Sequence, residues 1–307
     1  MIGIKAIGSY VPDGGFDTLS RAEEFGTNEA FLRDKTGFLF TPRKAKEEAT
    51  SDLCVKAYND LTARMDFDPA QIDCLIVCTQ NPDVHGIPHT SAIVHKKLGL
   101  PDHCATFDIS LGCSGYVYGL SIASAFMDRN GLRKGLFFTA DPYSCVMDEN
   151  DKNTALLFGD GAAVTLLDEA PVWQLDRFMF ESKSEHGDAI RIKENGVLSM
   201  NGRAVFAFSA TAVPPMIKRL LAAEEVSDED VDLYLLHQGS KYIVDTICQR
   251  LETSPDKVPF GAARTGNTVS STLPLLLKDI DDKSVRRIVL CGFGVGLSLA
   301  AGMLSRS

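Results

Sequence analysis

The amino-acid sequence predicts an α/β protein in which helices alternate with buried, largely parallel strands. Apolar runs at residues 72–78 and 105–109 have the length of buried strands. Other segments show helical spacing, as in the stripe formed by Leu53, Ala57 and Leu61. With 45% hydrophobic and 23% charged residues in a chain of 307, the composition is that of a globular protein with a large core.

The first half of the chain supplies five predicted strands and four predicted helices. Ser51 is predicted to cap one helix and Pro88 to open another, because both residue types favour the first turn. A third helix, near residues 28–35, is stopped by Gly37, and the fourth follows a turn that begins at Gly112. The predicted strands are residues 2–10, 72–78, 105–109, 135–139 and 162–167.

The second half repeats this order of elements and suggests a duplicated chain. Its predicted helices are residues 205–223, 240–251 and 273–280, and its predicted strands are 231–236, 288–291 and 297–304. The strand near Asp73 resembles the one near Asp232, which lies 232 − 73 = 159 positions later. The strand after Arg133 resembles the one after Arg286, which lies 286 − 133 = 153 positions later. The predicted halves are residues 1–168 and 169–307.

Charge and cysteine content restrict the classes of partner. A formal net charge of −10 argues against nucleic acid or an anionic membrane, since both attract basic surfaces. No apolar run approaches the ~20 residues of a membrane span, and the N-terminus lacks the apolar core of a signal peptide. Eight cysteines without a C-x-x-C pair predict reduced thiols in a cytoplasmic protein. No second pair completes a zinc site with Cys74 and Cys78, so we expect no bound metal.

The turn Gly112-Cys113-Ser114-Gly115 joins a short strand to a helix and provides the candidate nucleophile. Unpaired N–H groups in the first turn of a helix favour thiolate over thiol, and the thiolate is the nucleophilic form of cysteine. The two glycines would let the backbone turn tightly and let a substrate approach. The alternative is a structural cysteine buried in a small-residue helix start.

Three features of the second half are candidates for completing a site with Cys113. His237 ends an apolar strand, where the sheet of an α/β protein opens; the alternative is a histidine that the backbone satisfies. Asn267 could be a turn residue or a side-chain amide donor. Residues 292–296, Gly-Phe-Gly-Val-Gly, join two strands and fail the dinucleotide-binding template, which needs a third glycine and a helix. We interpret them as backbone that passes close to a ligand or supplies an N–H donor.

Together these residues resemble the thiolase superfamily, and most closely its type III beta-ketoacyl-acyl-carrier-protein synthases. The supporting motifs, in order, are GCSG after a D-x-S strand, LLFGDGAAV at 156–164, HQ at 237–238, GNTVSSTLP at 266–274 and GFGVG at 292–296. The resemblance covers essentially the whole chain. It implies a thiolase-like fold of two duplicated halves in a layered α-β-α-β-α arrangement, with the nucleophilic cysteine in the first half and the histidine and asparagine in the second. It also implies a homodimer.

The resemblance also implies a role for each residue. Cys113 would take an acyl group as a thioester, and the backbone N–H groups of Cys113 and Val295 would form the oxyanion hole. His237 and Asn267 would stabilise the enolate that remains when a malonyl thioester loses carbon dioxide. Val295 replaces a glycine of the family and would narrow the floor beside Cys113, and Phe293 is expected to contact the substrate. No cofactor is implied; thioesters of coenzyme A or phosphopantetheine are the substrates, delivered as acyl-CoA or by an acyl carrier protein.

Five further positions depart from the family pattern and bear on the substrate. Phe31, Lys35 and Lys152 stand where a tryptophan and two arginines usually hold the adenine of coenzyme A. Lysine keeps the charge but loses the planar stacking, which predicts weaker coenzyme A recognition or delivery by a carrier protein. Ser240 stands in place of a supporting asparagine. Ile87, in a loop that usually gives a phenylalanine to the partner subunit's acyl pocket, would admit a starter larger than acetyl.

The sequence therefore predicts an acyltransferase that condenses a Cys113-bound acyl starter with a malonyl thioester to give a beta-ketoacyl thioester. The departures suggest a non-acetyl starter or a specialised pathway rather than primary fatty-acid synthesis. Two alternatives stay open. In the first, the acyl group passes from Cys113 to an oxygen or nitrogen nucleophile without condensation; in the second, the chain is a degenerate structural partner of an active subunit.

Overall fold

A computed structural model describes all 307 residues of the chain. The helices are α1 Glu29–Phe31, α2 Thr50–Arg64, α3 Thr90–Leu98, α4 Gly115–Asn130, α5 Lys152–Ala155, α6 Gly202–Ala223, α7 Lys241–Leu251 and α8 Thr272–Lys278. The strands are β1 Gly3–Tyr10, β2 Gly15–Asp17, β3 Phe40–Pro42, β4 Cys74–Cys78, β5 Ala105–Ile109, β6 Lys134–Ala140, β7 Ala162–Asp168, β8 Trp173–Ser182, β9 Ile190–Ile192, β10 Leu198–Met200, β11 Leu233–Leu236, β12 Arg287–Gly294 and β13 Ser298–Arg306.

Nine strands form one sheet in the order β11-β12-β13-β8-β1-β7-β6-β4-β5. Only three pairs are parallel, namely β11 with β12, β4 with β6 and β4 with β5. The prediction of largely parallel sheets is therefore wrong, and the sheet is mixed. One reason is that residues 295–297 alone join β12 to β13, a connection too short for a parallel crossover.

Helices cover the outer faces of the sheet. Two further helices form an inner layer between the strands of the first half and those of the second. The central helix α4 packs against β4 and β6 from the first half and against β8, β12 and β13 from the second. Helix α8 contacts β1, β7 and β11 from the same inner layer. Helices α2 and α3 cover the first half from outside, and α6 covers the second. This confirms the layered α-β-α-β-α arrangement.

The strand pattern supports a duplicated chain. Moving away from the centre, β1-β7-β6-β4 and β8-β13-β12-β11 both show two antiparallel pairs followed by one parallel pair. The predicted boundary between residues 168 and 169 falls at the end of β7, four residues before β8 begins. We propose on this pattern that residues 1–168 and 169–307 are the two halves.

Polar side chains, rather than the residues predicted from sequence, start two of the helices. The N-cap of α2 is Ala49, and not Ser51, whose hydroxyl instead contacts Asp83. Helix α3 begins two residues after Pro88, and Asp108 of β5 accepts hydrogen bonds from the N–H groups of its first two residues, at 2.7 and 2.8 Å. A carboxylate at this end of a helix satisfies unpaired donors and the helix dipole.

Helix α6 is the one helix that is long and apolar enough, by length and composition, to cross a bilayer. In the fold its apolar side packs on β12 and β13, and Val213, Met216 and Ile217 are fully buried. Pro214 inside this helix cannot donate to the carbonyl of Ala210, and Arg250 of α7 donates to that carbonyl instead, at 2.9 Å. In this structure, therefore, α6 behaves as a core helix.

Candidate active site

A cavity of about 320 Å³ brings together the three predicted catalytic side chains. They come from the turn before α4, the residue after β11 and the loop before α8. The sequence-predicted residues that line this cavity are Cys113, His237, Asn267, Phe31, Lys35, Ser240, Phe293 and Val295. Ile87 and Lys152 do not line it: Ile87 is 89% exposed on a distant loop, and Lys152 is exposed at the start of α5. Their roles in binding stay predictions.

Cys113 lies at the bottom of this cavity and is only 4% exposed. The turn between β12 and β13 passes directly over it. A Cβ atom on Gly294 would lie 2.6 Å from the Cys113 sulfur, and one on Gly292 would lie 2.7 Å from the Cys113 carbonyl oxygen. Glycine is therefore needed at both positions, which explains why the end of β12 is rich in glycine.

The ionisation of Cys113 differs from the sequence-based expectation. Burial raises the pKa of the Cys113 thiol to about 12, and the charge of Asp141 acts in the same direction. The backbone N–H groups of Val295 and of Cys113 itself lower that pKa, but by less. Desolvation outweighs these donors and so opposes the thiolate that the helix start was expected to favour. The same two N–H groups face the sulfur, as an oxyanion hole at this site requires.

His237 is a buried, neutral imidazole, 2% exposed at the end of β11. Burial lowers the pKa of His237 to about 3. Its Nδ1 atom lies 2.8 Å from the hydroxyl oxygen of Thr272. The imidazole ring also packs edge-to-face with the ring of Phe293, with 5.4 Å between the ring centroids. The Thr272 hydroxyl has one proton. In the arrangement in which it donates to Nδ1 rather than to the Val269 carbonyl, the imidazole proton is on Nε2, which is then a neutral donor.

Asn267 is held so that its amide nitrogen remains available. Its side-chain oxygen accepts from the backbone N–H of Val269 at 2.9 Å, which fixes the orientation of the amide. Val269 has a φ of 55°, a left-handed conformation that costs a β-branched residue about 1–3 kcal/mol. The carbonyl oxygen of Val269 lies 3.2 Å from the Thr272 hydroxyl, whose proton can go either to this oxygen or to His237. One strained residue, Val269, therefore connects the supports of Asn267 and His237.

The LLFGDGAAV segment supports the Asn267 loop and also lines the cavity through Leu157 and Phe158. The N–H of Asn267 donates to Leu157 at 2.8 Å, and the N–H of Gly159 donates back to the Asn267 carbonyl at 3.1 Å. A Cβ atom on Gly159 would lie 2.1 Å from the carbonyl oxygen of Thr265. The sequence indicated that this motif matters, and the structure gives the reason: only glycine lets the two loops approach this closely.

The mouth of the cavity is lined by an aromatic stack. The rings of Phe206 and Tyr242 lie 5.1 Å apart and nearly parallel, at 11°. The ammonium of Lys35 lies 3.7 Å from the centre of the Tyr242 ring, a cation–π contact. Phe31, 46% exposed, lines the same opening. Ser240 caps α7 by accepting from the N–H of Ile243 at 3.3 Å, so it has a local structural partner.

Sequence reasoning missed several residues that shape the site. Tyr143 and Asp141 lie in a segment without a recognisable chemical motif, and their contacts are with residues distant in the chain. Val269 and Thr272 lie within the GNTVSSTLP motif, but their support of Asn267 and His237 was not predicted. The run Ser270-Ser271-Thr272 was a partial signal, because three buried hydroxyls in a row need hydrogen-bond partners.

Comparison with known proteins agrees with this geometry. The family model for 3-oxoacyl-[acyl-carrier-protein] synthase III matches residues 107–184, and the model for the C-terminal part of that enzyme matches residues 221–306. The beta-ketoacyl-[acyl-carrier-protein] synthase III of Deinococcus deserti is 31% identical, over 99% of this chain and 91% of its own length. The enzyme of the same name from Lactobacillus delbrueckii subsp. bulgaricus is 32% identical, over 94% of this chain and 93% of its own.

Solved structures give the same result for the fold. The crystal structure of beta-ketoacyl-[acyl carrier protein] synthase III from Thermus thermophilus superposes with a TM-score of 0.91 at 29% identity, covering 99% of both chains. A further crystal structure of a 3-oxoacyl-(acyl-carrier-protein) synthase III superposes with a TM-score of 0.92 at 30% identity, again over 99% of both chains.

Proposed function

Since this chain belongs to the 3-oxoacyl-[acyl-carrier-protein] synthase III family, we propose that it condenses a Cys113-bound acyl starter with a malonyl thioester, with loss of carbon dioxide. The fold is that of the thiolase-like condensing enzymes of this family. The observation that carries the proposal is the set of three side chains on one largely apolar cavity: a thiol, a neutral imidazole and an amide.

In the first half-reaction, the Cys113 sulfur attacks the carbonyl carbon of the donor thioester. A sulfur–carbon bond forms, the donor's own sulfur–carbon bond breaks, and the thiol proton leaves with the donor thiol. The N–H groups of Cys113 and Val295 would stabilise the oxyanion of the tetrahedral intermediate. Binding of the donor's pantetheine arm in the apolar cavity would bring the carbonyl into position above the sulfur.

In the second half-reaction, the malonyl thioester loses carbon dioxide, and the electron pair of the broken carbon–carbon bond becomes an enolate. Nε2–H of His237 and the amide N–H of Asn267 would donate to the enolate oxygen. Neutral donors suit this step, because the charge that develops is negative and nothing needs to be deprotonated. The enolate carbon then attacks the acyl carbonyl, and the Cys113 sulfur leaves.

The alternative, transfer of the acyl group to an oxygen or nitrogen nucleophile, needs a base that takes a proton from that nucleophile. A histidine whose pKa is about 3 is a weak base at neutral pH, well below the pKa that suits general base catalysis there. The low pKa of His237 therefore favours condensation over the alternative. Release of carbon dioxide from a malonyl donor separates the two.

We propose that a carrier protein, more than free coenzyme A, delivers the substrates. Lys35 is engaged with the Tyr242 ring, and Tyr242 is itself stacked on Phe206. The ammonium of Lys35 also offers an adenine neither the planar stacking face nor the fork of donors that an arginine would offer. Lys35 remains near enough to the opening to meet a phosphate of the pantetheine arm, which both kinds of donor share.

The starter's size would be set near Val295. A second cavity of about 240 Å³ shares Tyr143, Ile190 and Val295 with the first, so these residues form a partition beside Cys113. We expect Val295→Gly to shift the acyl preference of Cys113 to chains longer by two or more carbons, because the partition loses an isopropyl group. Acylation followed by mass spectrometry over a series of donors from two to ten carbons measures this. An unchanged preference would mean that another wall sets the limit.

A second copy of this chain is the proposed partner. Strand β5 lies at the edge of the sheet, so one side of its backbone has no neighbouring strand. Ile87, Ile122 and Phe180 are 89%, 38% and 45% exposed. We expect light scattering to give about twice the chain mass of 33.4 kDa, and Ile122→Asp to lower it. A wild-type mass of one chain would contradict the dimer.

Cytoplasmic location and a specialised pathway remain predictions.

The proposed function is tested by intact-protein mass after the enzyme is mixed with matched acyl-CoA and acyl-carrier donors. An adduct at Cys113 from one donor class identifies the delivery route, and its discharge by a malonyl carrier with loss of carbon dioxide establishes condensation. An adduct that resists malonyl donors but is discharged by an alcohol or amine supports the alternative. No adduct from any donor would contradict catalysis and favour the structural-partner hypothesis.

A further inference from the structure

A carboxylate that the proposed reaction does not use is buried behind the Cys113 turn. Asp141 directly follows β6 and has no exposed surface. It accepts from the backbone N–H of Gln80 at 2.6 Å, from the hydroxyl of Ser270 at 2.8 Å and, more weakly, from that of Thr79 at 3.4 Å. No cation acts on it. Burying an unpaired carboxylate is costly, so this position calls for an explanation.

The partners of Asp141 lie in the loop that carries Asn267 and in the segment after β4, which packs against the Cys113 turn: a Cβ atom on Gly112 would lie 2.6 Å from the side-chain oxygen of Gln80. Gln80, whose N–H donates to Asp141, lies just after β4. Its neighbour Thr79 donates its own backbone N–H to the carbonyl of Ile109 at 3.0 Å. Ile109 is the last residue of β5, from which the chain enters the Cys113 turn. The other main partner of Asp141, Ser270, lies three residues after Asn267. One side chain therefore joins the segment packed on the Cys113 turn to the loop that presents the amide.

The charge of Asp141 also acts on the nucleophile. The charge of Asp141 raises the pKa of four titratable groups around it: Cys54 of α2, Cys78 at the end of β4, Cys113, and Tyr143 on its own segment. Burial raises the pKa of Asp141 to about 6, while its hydrogen bonds oppose that rise. The carboxylate is therefore mostly ionised at neutral pH and above, where thiol reactivity is measured.

We propose that Asp141 is a positioning residue that joins the segment packed on the Cys113 turn to the Asn267 loop, and that its negative charge adds to burial in keeping the unacylated Cys113 thiol protonated. A protonated thiol resists alkylation and oxidation until a donor thioester is bound. The positioning part of this proposal rests on the proposed condensation, because it is tested by measuring the condensation rate. The electrostatic part is read from the thiol alone and does not depend on which reaction the enzyme catalyses.

Asp141→Asn tests both parts, because asparagine keeps the size and one oxygen acceptor but removes the charge. In a Cys145→Ala background, which removes the exposed cysteine, iodoacetamide alkylation of the Cys113 peptide is followed by mass spectrometry across pH. We expect the midpoint of alkylation to move lower by a fraction of a pH unit, because burial, the larger cause of the raised pKa, is unchanged. We expect condensation to fall about tenfold to a hundredfold, because the amide is held less accurately. The thiol thus becomes more reactive while turnover falls.

Thr139→Val is the matched control. It removes an uncharged contact of 2.9 Å between Thr139 and Ser271, which joins the same strand to the same loop. We expect it to leave the alkylation midpoint unchanged. An Asp141→Asn enzyme with an unshifted midpoint would overturn the electrostatic part, and one with full condensation would overturn the positioning part.

If circular dichroism shows that Asp141→Asn does not fold, Ser270→Ala decides the positioning part. It removes one hydrogen bond to the carboxylate and leaves the charge in place. We expect a several-fold loss of condensation with the alkylation midpoint unmoved. Unchanged turnover in a folded Ser270→Ala enzyme would overturn that part of the proposal.

Discussion

Replacing Cys113 by alanine is expected to abolish the acyl adduct and to lower condensation by about a thousandfold or more. The sulfur is the atom to which the starter is transferred, and no other thiol lines the cavity. The change leaves the backbone N–H of residue 113 and both enolate donors in place. We therefore expect Cys113→Ala to release carbon dioxide slowly from a malonyl carrier without forming a beta-ketoacyl product. Intact-protein mass and a carbon dioxide assay measure the two effects.

Cys145→Ala is the control for this experiment, because Cys145 is an exposed free cysteine outside the cavity. It is expected to acylate and condense like the wild type. An acyl adduct that persists in Cys113→Ala would place the acylated residue elsewhere and contradict the assignment of the nucleophile.

Asn267→Ala is expected to show the reverse pattern: a normal acyl adduct with decarboxylation and condensation lowered by about 100- to 1,000-fold. The lost amide N–H is one of two donors proposed for the enolate, and it takes no part in the first half-reaction. His237→Ala should show the same separation, since its ring supplies the other donor. Rates of adduct formation and of carbon dioxide release from a malonyl carrier, measured separately on each variant, test this.

Gln238→Ala is a suitable comparison for the His237 variant. Gln238 is equally buried beside it, but its amide bonds only backbone, donating to Leu236 at 2.8 Å and accepting from Gly261 at 3.0 Å. We expect a loss of stability in Gln238→Ala without the separation of the two half-reactions. Equal losses of acylation and decarboxylation in Asn267→Ala would contradict the division of roles between Cys113 and the two donors.

Much of the fold follows from local sequence, and the errors have physical causes. Strand β5 was predicted with its observed ends, because its neighbours break the chain on both sides. Strand β8 was missed although it has ten residues, since most of its side chains are exposed or half-buried and its apolar pattern is weak. Strand direction was also mispredicted, because antiparallel pairing of β1 with β7 and β8 depends on contacts between segments far apart in the chain.

In the candidate site, too, some residues could be found from local sequence, whereas other properties depend on distant parts of the chain. Cys113, His237 and Asn267 could be found because each lies at the end of a strand or in a glycine-containing turn that leaves a local signal. The pKa of Cys113 could not, because its burial is produced by a turn about 180 residues later in the chain, at Gly294. Asp141 could not be identified for a related reason. A single acidic residue after a strand is typical of a loop, and only the structure shows its three hydrogen-bond partners.

The central claim is tested most directly by a single turnover of the acylated enzyme. Enzyme carrying one acyl group at Cys113 is separated from donor and mixed with a malonyl carrier, and carbon dioxide and beta-ketoacyl product are counted against the acyl group lost. Decarboxylative condensation predicts a ratio of one to one to one. Loss of the acyl group without carbon dioxide, and with the starter recovered on an alcohol or amine, would contradict it.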